Sequence, residues 1–275
     1  MSRTVSFAAT DGFELRGTLF GEPAGARAGL LIVPAMGVPQ RFYADFATWL
    51  AGQGSVVLCF DCRGIGASRH GPLRDLQADV LTWAEQDTAA ALAFLDAQLV
   101  PSTPIHWLGH SLGGQILGLV PGRERISRVV TLGCGSGHWL HNVWKLRLTV
   151  GWLWFVVVPI ALPLAGYFPG RRLRKIGDLP RGVMAQGRRW CLAPDYLLGD
   201  GGPERREHYA RITMPILWLS FTDDEYMSVR NTASIHGFYA AAPKTLRIGH
   251  FGFFRKRFAT TLWPEVTHCL ALENP

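Results

Sequence analysis

Ser111 stands in Gly109-His110-Ser111-Leu112-Gly113, between an apolar, strand-like stretch, Ile105 to Leu108, and a stretch with helical spacing, Leu112, Ile116 and Leu119. A serine on so tight a strand-to-helix turn needs neighbours without Cβ atoms two places to either side, and Gly109 and Gly113 meet that need. Such a turn lifts the hydroxyl clear of the sheet and leaves the first helical amides, with their positive dipole end, beside it. The chemistry this suits is nucleophilic attack on a carbonyl carbon. A serine hydroxyl stays protonated near neutral pH, so it needs a base, an acid to orient that base, and donors for the oxyanion.

His250 follows the last strand-like segment, Thr245 to Ile248, and is the expected base; His110 lies inside the turn, and His236 and His268 lie in helical stretches. The acid falls within Asp223-Asp224-Glu225, just after the apolar run Ile216 to Phe221. Asp224 is expected over Asp223 because it stands farther past the strand end, where a turn can aim it at the imidazole. Of the two oxyanion donors, one is the N–H of Leu112; the other is expected from the loop after Ala28 to Val33, at Met36. Serine, acid and histidine each follow a strand, in that chain order, so the carboxyl edge of a parallel sheet would bring them together.

The elements that must position these groups are legible as an alternation. Val5 to Phe20 alternates apolar and polar residues about Asp11-Gly12, a hairpin signature. Ala28 to Val33 is a continuous apolar run suited to a strand buried on both faces, and Ser55 to Phe60, Ile105 to Leu108, Ile126 to Leu132 and Ile216 to Phe221 are the further expected strands. Phe42, Phe46, Trp49 and Leu50 mark a helix between the first two runs, and Leu76, Val80, Trp83, Ala91, Phe94 and Leu95 a longer one after the second. A helix over Ser228 to Ala240 and a last one starting at Pro264 complete the pattern. The implied fold class is α/β, a mostly parallel doubly wound sheet.

The alternation stops near Cys134 and resumes at Pro215. Residues 1–134 and 211–275 therefore form the expected core, and 135–210 an inserted helical cap, or lid, rich in tryptophan, proline and arginine. Leu148 to Gly170 is uncharged and long enough to span a bilayer, but Pro159 and Pro163 interrupt it and a soluble-type strand lies on either side. The expectation is a set of short helices with an apolar underside, with peripheral contact at a membrane surface left open. Trp152, Trp154, Phe155, Tyr167 and Phe168 either line a substrate pocket or pack the cap against itself.

The chain has 275 residues and a formal net charge of +7, with arginines crowding its second half. No basic stripe with interleaved aromatics is present, so nucleic acid is not an expected partner. Arg171, Arg172, Arg174, Lys175, Arg188 and Arg189 either form a solvated face or steer an anionic substrate or membrane. Five cysteines and no signal-peptide pattern over Met1 to Gly12 lead to an expected cytoplasmic location with reduced thiols. Cys59 and Cys62 have C-x-x-C spacing without a second pair, so no metal site is expected, and Asp61 to Ser68 reads as a tight turn, lacking the P-loop and dinucleotide patterns. No cofactor is expected.

These residues together resemble an α/β-hydrolase over nearly the whole chain, and more narrowly a bacterial branch of predicted hydrolases with a serine-aminopeptidase-like core. The matching stretches are Gly37 to Tyr43, Phe60 to Ser68, Gly109 to Gln115, Ser220 to Tyr226, Gly249 to Arg255 and Leu262 to Glu265. The resemblance implies the α/β-hydrolase fold, Ser111, Asp224 and His250 as the catalytic triad, and a cap over about 135 to 210. Where the wider superfamily most often has His-Gly after the third strand, this chain has Pro34-Ala35. The expected activity is hydrolysis of an ester, less readily an amide or thioester, with an apolar acyl group. The alternatives are acyl transfer to an alcohol or amine by the same triad, and a catalytically silent fold that binds lipid or a partner protein.

Overall fold

The computed structural model describes residues 1–173, 176–221, 223–239, 243–246 and 250–270, the side chains of 243–246 excepted. Its strands are β1 (Ser2–Ala8), β2 (Glu14–Phe20), β3 (Ala28–Val33), β4 (Ser55–Asp61), β5 (Ile105–His110), β6 (Ile126–Leu132), β7 (Tyr167–Phe168), β8 (Leu179–Pro180), β9 (Ile216–Phe221) and β10 (Pro243–Leu246). Eight of them make one sheet in the order β1-β2-β4-β3-β5-β6-β9-β10. The β1–β2 hairpin and the β2–β4 pair are antiparallel; every other neighbour in the sheet is parallel. β10 begins two residues before the expected strand, and the expected continuation through Ile248 and Gly249 lies outside the described residues.

Continuous apolar runs become central strands because both sheet faces are covered. In β3, Leu30 and Ile32 enter the core on one face and Leu31 and Val33 the core on the other, the two-residue period of a pleated strand. α1 (Ala44–Gly52) follows β3 after a 3-10 turn that takes up Phe42. α2 (Val80–Thr82) and α3 (Ala89–Gln98) join through a π-helical stretch, Trp83–Thr88. This helix starts after Asp79, whose side chain accepts the Thr82 N–H, so Leu76 falls outside it although its spacing fits.

The helix after Ser111 is shorter than its apolar spacing predicts. α4 (Leu112–Gln115) gives way to a 3-10 turn, Leu117–Leu119, because Gly113 and Gly114 weaken it and Pro121 closes the segment. Leu112, Ile116 and Leu119 are buried all the same.

Between β6 and β9 the chain leaves the sheet. α5 (Trp144–Trp152), a π-helical stretch Leu153–Val157 and α6 (Val158–Ala165) run on as one 22-residue helix. The expected interruption at the prolines does not occur. Pro159 sits in the first turn of α6, where the π-helical stretch has already displaced the ladder, and both prolines lie on the exposed side, where a released carbonyl stays solvated. The short pair β7–β8 and α7 (Arg181–Leu192) follow. α8 (Gly202–Ala210) returns to the body, where the Tyr209 hydroxyl donates to the Gln115 carbonyl. α9 (Val229–His236) is capped by Ser228 and Asn231 in a reciprocal box. α10 (Trp263–Cys269) packs with α1 on one face of the sheet through Phe46, Leu50, Trp263 and Val266.

Candidate active site

β5 lies between β3 and β6, so its carboxyl end opens at the middle of the sheet edge. Ser111, the next residue, has φ +50° and ψ −113°, a conformation that disfavours any side chain with a Cβ. Backbone bonds hold it there at both ends. Its N–H donates to the Leu132 carbonyl at 2.9 Å, and its own carbonyl accepts from Gly114 at 3.0 Å. A Cβ on Gly109 would lie 2.5 Å from the Gly114 Cα, so this glycine serves the turn as its spacing predicts. Gly113 has a different partner: a Cβ there would lie 2.1 Å from the Val33 carbonyl oxygen, at the end of β3.

The turn after β9 carries Asp224. Its Oδ1 accepts the N–H groups of Tyr226 at 2.8 Å and Met227 at 2.7 Å, and its Oδ2 lies 2.8 Å from His250 Nδ1. Both side chains are almost wholly buried, at 1% and 4% exposure. With Oδ2 accepting from Nδ1–H, the second ring nitrogen of His250 is left as the acceptor. His250 is also fixed through its backbone, its N–H donating to Glu225 Oε2 at 3.1 Å. Beneath the ring lies Gly133, at φ +58°, where a Cβ would come within 3.0 Å of Nδ1.

His110, within the serine turn, is fully buried and forms part of the support. The Tyr43 hydroxyl accepts the Ala35 N–H at 2.9 Å and donates to His110 Nδ1, also at 2.9 Å, because the other ring nitrogen faces a carbonyl and must carry the proton. His110 Nε2–H then donates to the His250 carbonyl at 3.2 Å. Burial, with a smaller contribution from His250, holds the His110 imidazole well below its ordinary pKa, in keeping with this neutral tautomer. One hydrogen-bonded chain thus ties the loop after β3 to the backbone of His250. The residue pattern around Ser111 carried no signal of it beyond the presence of a histidine.

Ser111, Leu112, Ala35, Met36 and His250 share one cleft of about 220 Å³. The Ala35 amide is committed to Tyr43, and Met36 is the next residue along the loop. The rest of the lining is largely apolar. Leu146, Val150, Leu153 and Trp154 come from the long helix, Met184 and Cys191 from α7, and Tyr196, Met227 and Phe251 from loops. Tyr196 has φ +51°, and its hydroxyl donates to Gln115 Oε1 at 2.8 Å while Gln115 Nε2 holds the Gly135 carbonyl at 2.7 Å.

Of the five aromatics expected at a pocket, Trp154 alone lines this cleft. Trp152 and Phe155 are exposed at 63% and 53%, both turned to the outward side of the helix, away from the cleft. Phe168 is fully buried in the core at β7, where Tyr167 is its half-buried neighbour; neither reaches the cleft. Among the described residues, none of the expected steering arginines lines it either. Arg188 Nε donates to the Trp154 carbonyl, Arg189 pairs with Asp200 at 2.9 Å, and Arg171 and Arg172 lie exposed; Arg174 and Lys175 fall outside the described residues. Among the described residues no group of three His, Cys, Asp or Glu side chains is placed to hold a metal ion. Cys59 and Cys62 are buried free thiols, and in the loop between Asp61 and Ser68 the Asp61 carboxylate accepts the N–H groups of Gln40 and Ala67. That loop is the tight turn its glycines predict, with Gly64 and Gly66 at positive φ.

A sequence profile described as "Alpha/beta hydrolase family" matches residues 30–275. Among curated proteins, the chain is 36% identical over 114 residues to a polyketide transferase, grgF, from a Penicillium species, an alignment covering 41% of this chain and 37% of that protein. Among solved structures, a Pyrococcus furiosus esterase superposes with a TM-score of 0.63 at 14% identity, covering 98% of this chain and 91% of the other. The Penicillium GrgF structure superposes with a TM-score of 0.62 at 18% identity, covering 98% and 99%. At these identities the structural likeness establishes the shared fold, and the profile match over most of the sequence goes further: this chain belongs to the alpha/beta hydrolase family.

Proposed function

We propose that the protein is a serine hydrolase that cleaves esters of apolar acyl groups, and amides or thioesters less readily, through an acyl-enzyme on Ser111. The observation that carries this reading is the buried Asp224–His250 pair, which opens on the same cleft as a serine held at positive φ. Asp224 keeps the proton of His250 on Nδ1, and the other ring nitrogen takes the proton from the Ser111 hydroxyl as its oxygen attacks the acyl carbon. The oxyanion forms beside the N–H groups of Leu112 and Met36. Collapse breaks the bond to the leaving alcohol, which departs with the proton from His250. Water then repeats the sequence and returns the serine. The apolar lining from the long helix and α7 favours a hydrocarbon acyl chain, and the segment from β6 to β9 acts as the cap.

Labelling with a fluorophosphonate tests the reading, since an activated serine alone reacts rapidly. Wild type is expected to label, and Ser111→Ala and His250→Ala to lose labelling while keeping the native circular dichroism of a folded chain. A wild type that stays unlabelled with and without detergent would overturn it.

Acyl transfer is the second reading. The cleft's apolar walls limit water at the acyl-enzyme, and the partial relative from Penicillium is named a polyketide transferase. Partition of a labelled acyl group between water and added alcohols or amines separates the two.

A further inference from the structure

We propose that the outer face of the Trp144–Ala165 helix docks on the surface of an anionic phospholipid bilayer. Trp144, Leu148, Trp152 and Phe155 recur at steps of four, four and three residues and so form one stripe; Ile160 and Leu164 extend it. All six are exposed, between 53% and 82%. The inner face of the same helix is apolar too, with Trp154, Val158 and Leu162 buried against the body. A helix apolar all round is expected to be enclosed on all sides, and the fold encloses one.

Charge decides what covers the other. No Asp or Glu occurs between Glu124 and Asp178. Exposed cations flank the helix along the chain, Lys145 in its first turn and Arg171 and Arg172 after the short strand β7 that follows it. A second copy would bring these cations against their like, whereas anionic headgroups complement them and the acyl region below receives the tryptophans and leucines.

The helix is long enough to cross a bilayer, but its attachment opposes that. Trp154, Val158 and Leu162 are packed into the core, and Arg188 Nε holds the Trp154 carbonyl at 2.6 Å. It therefore lies along the interface. The walls of the cleft that it supplies, Leu146, Val150, Leu153 and Trp154, are within one helix diameter, about 10 Å, of the lipid. Docking does not depend on the chemistry assigned to Ser111, and its test uses no catalytic readout.

The experiment is flotation of the full chain with phosphatidylcholine–phosphatidylglycerol vesicles and with pure phosphatidylcholine vesicles, at low and high salt. Wild type is expected to float with the anionic vesicles and to be released in part by salt. The double variant Leu148→Glu and Leu164→Glu is expected to lose binding about tenfold or more on both lipids. Arg171→Ala with Arg172→Ala is expected to lose about tenfold on anionic vesicles alone. Unchanged unfolding midpoints in both variants show that the fold is intact. Equal flotation of wild type and the glutamate variant, or no flotation of wild type, would overturn the proposal. So would a wild-type dimer that the glutamate variant abolishes, which would assign the face to a second copy. Resistance of the cellular protein to alkaline carbonate, with protease access from both sides of the membrane, would overturn surface docking in favour of a span.

Discussion

Among the described residues, Ser111 and Tyr196 are the two non-glycines at positive φ, and both line the cleft. Strain of that kind costs of order 1–3 kcal/mol at each residue and persists where surrounding bonds over-determine it. For Ser111 those bonds run to Leu132 and Gly114; for Tyr196 they run through Gln115 to Gly135. Gly133 works by absence. Its φ of +58° disfavours any side chain, and a Cβ there would press on His250 Nδ1 at 3.0 Å, so the ring would have to give by a few tenths of an ångström. On the proposed mechanism, Gly133→Ala is therefore expected to slow fluorophosphonate labelling by about tenfold or more, since small displacements of the proposed base are costly. Stability should fall by only about 1–2 kcal/mol, from the strained backbone. Labelling at the wild-type rate would show that His250 tolerates the shift.

At the scale of elements, the loop after β4 is joined to two others by one buried cation. Arg63 is 4% exposed, and its Nε meets Asp87 of the 80–98 helix at 2.7 Å while its terminal nitrogens reach Asp11 of the β1–β2 turn. Burial pushes the Asp87 carboxyl up to about 6, with Arg63 opposing that shift. Arg63→Ala removes the opposing cation and strands a carboxyl with no exposure. A loss of about 3–5 kcal/mol in stability is expected, measured by denaturant unfolding. Adding Asp87→Ala should recover part of it, because the stranded charge is then gone. The absence of recovery would place the cost in the packing of the arginine instead.

For the whole molecule, acid is the vulnerable direction. His106 and His236 are buried without a partner on one ring nitrogen each, and burial lowers both to about 4; burial also holds His110 well below its ordinary value. All three remain neutral in the folded chain while the unfolded chain takes up protons below about 6.5. The unfolded state then binds more protons, so stability falls as pH falls, by about 1.4 kcal/mol per pH unit for each histidine well below that point. A flat unfolding midpoint above pH 7 and a steep decline between pH 6 and 4 are expected in a thermal series. His236→Phe should make the decline shallower. Stability unchanged down to pH 5 would contradict the assignment of these rings as neutral.

What the amino-acid sequence determined by itself was whatever depends on neighbours in the chain. β3, β6 and β9 coincide with their expected bounds to the residue; β3 is apolar and buried throughout because the sheet is covered on both faces there, while β6 carries the polar Ser127 and Arg128 at its less buried start. The serine turn was legible for the same reason: its glycines and its serine stand within five residues of each other. Contrast between polar and apolar faces is what makes a helix's orientation readable, and the Trp144–Ala165 helix has none. Only its packing decided that Trp154 faces the cleft while Trp152 and Phe155 face outward. Tertiary structure also decided that Asp224 meets His250, 26 residues later, and that Tyr43 reaches His110 across 67. Adjacent acids look alike in a sequence; only the turn that two backbone N–H groups impose on Asp224 gives it a direction.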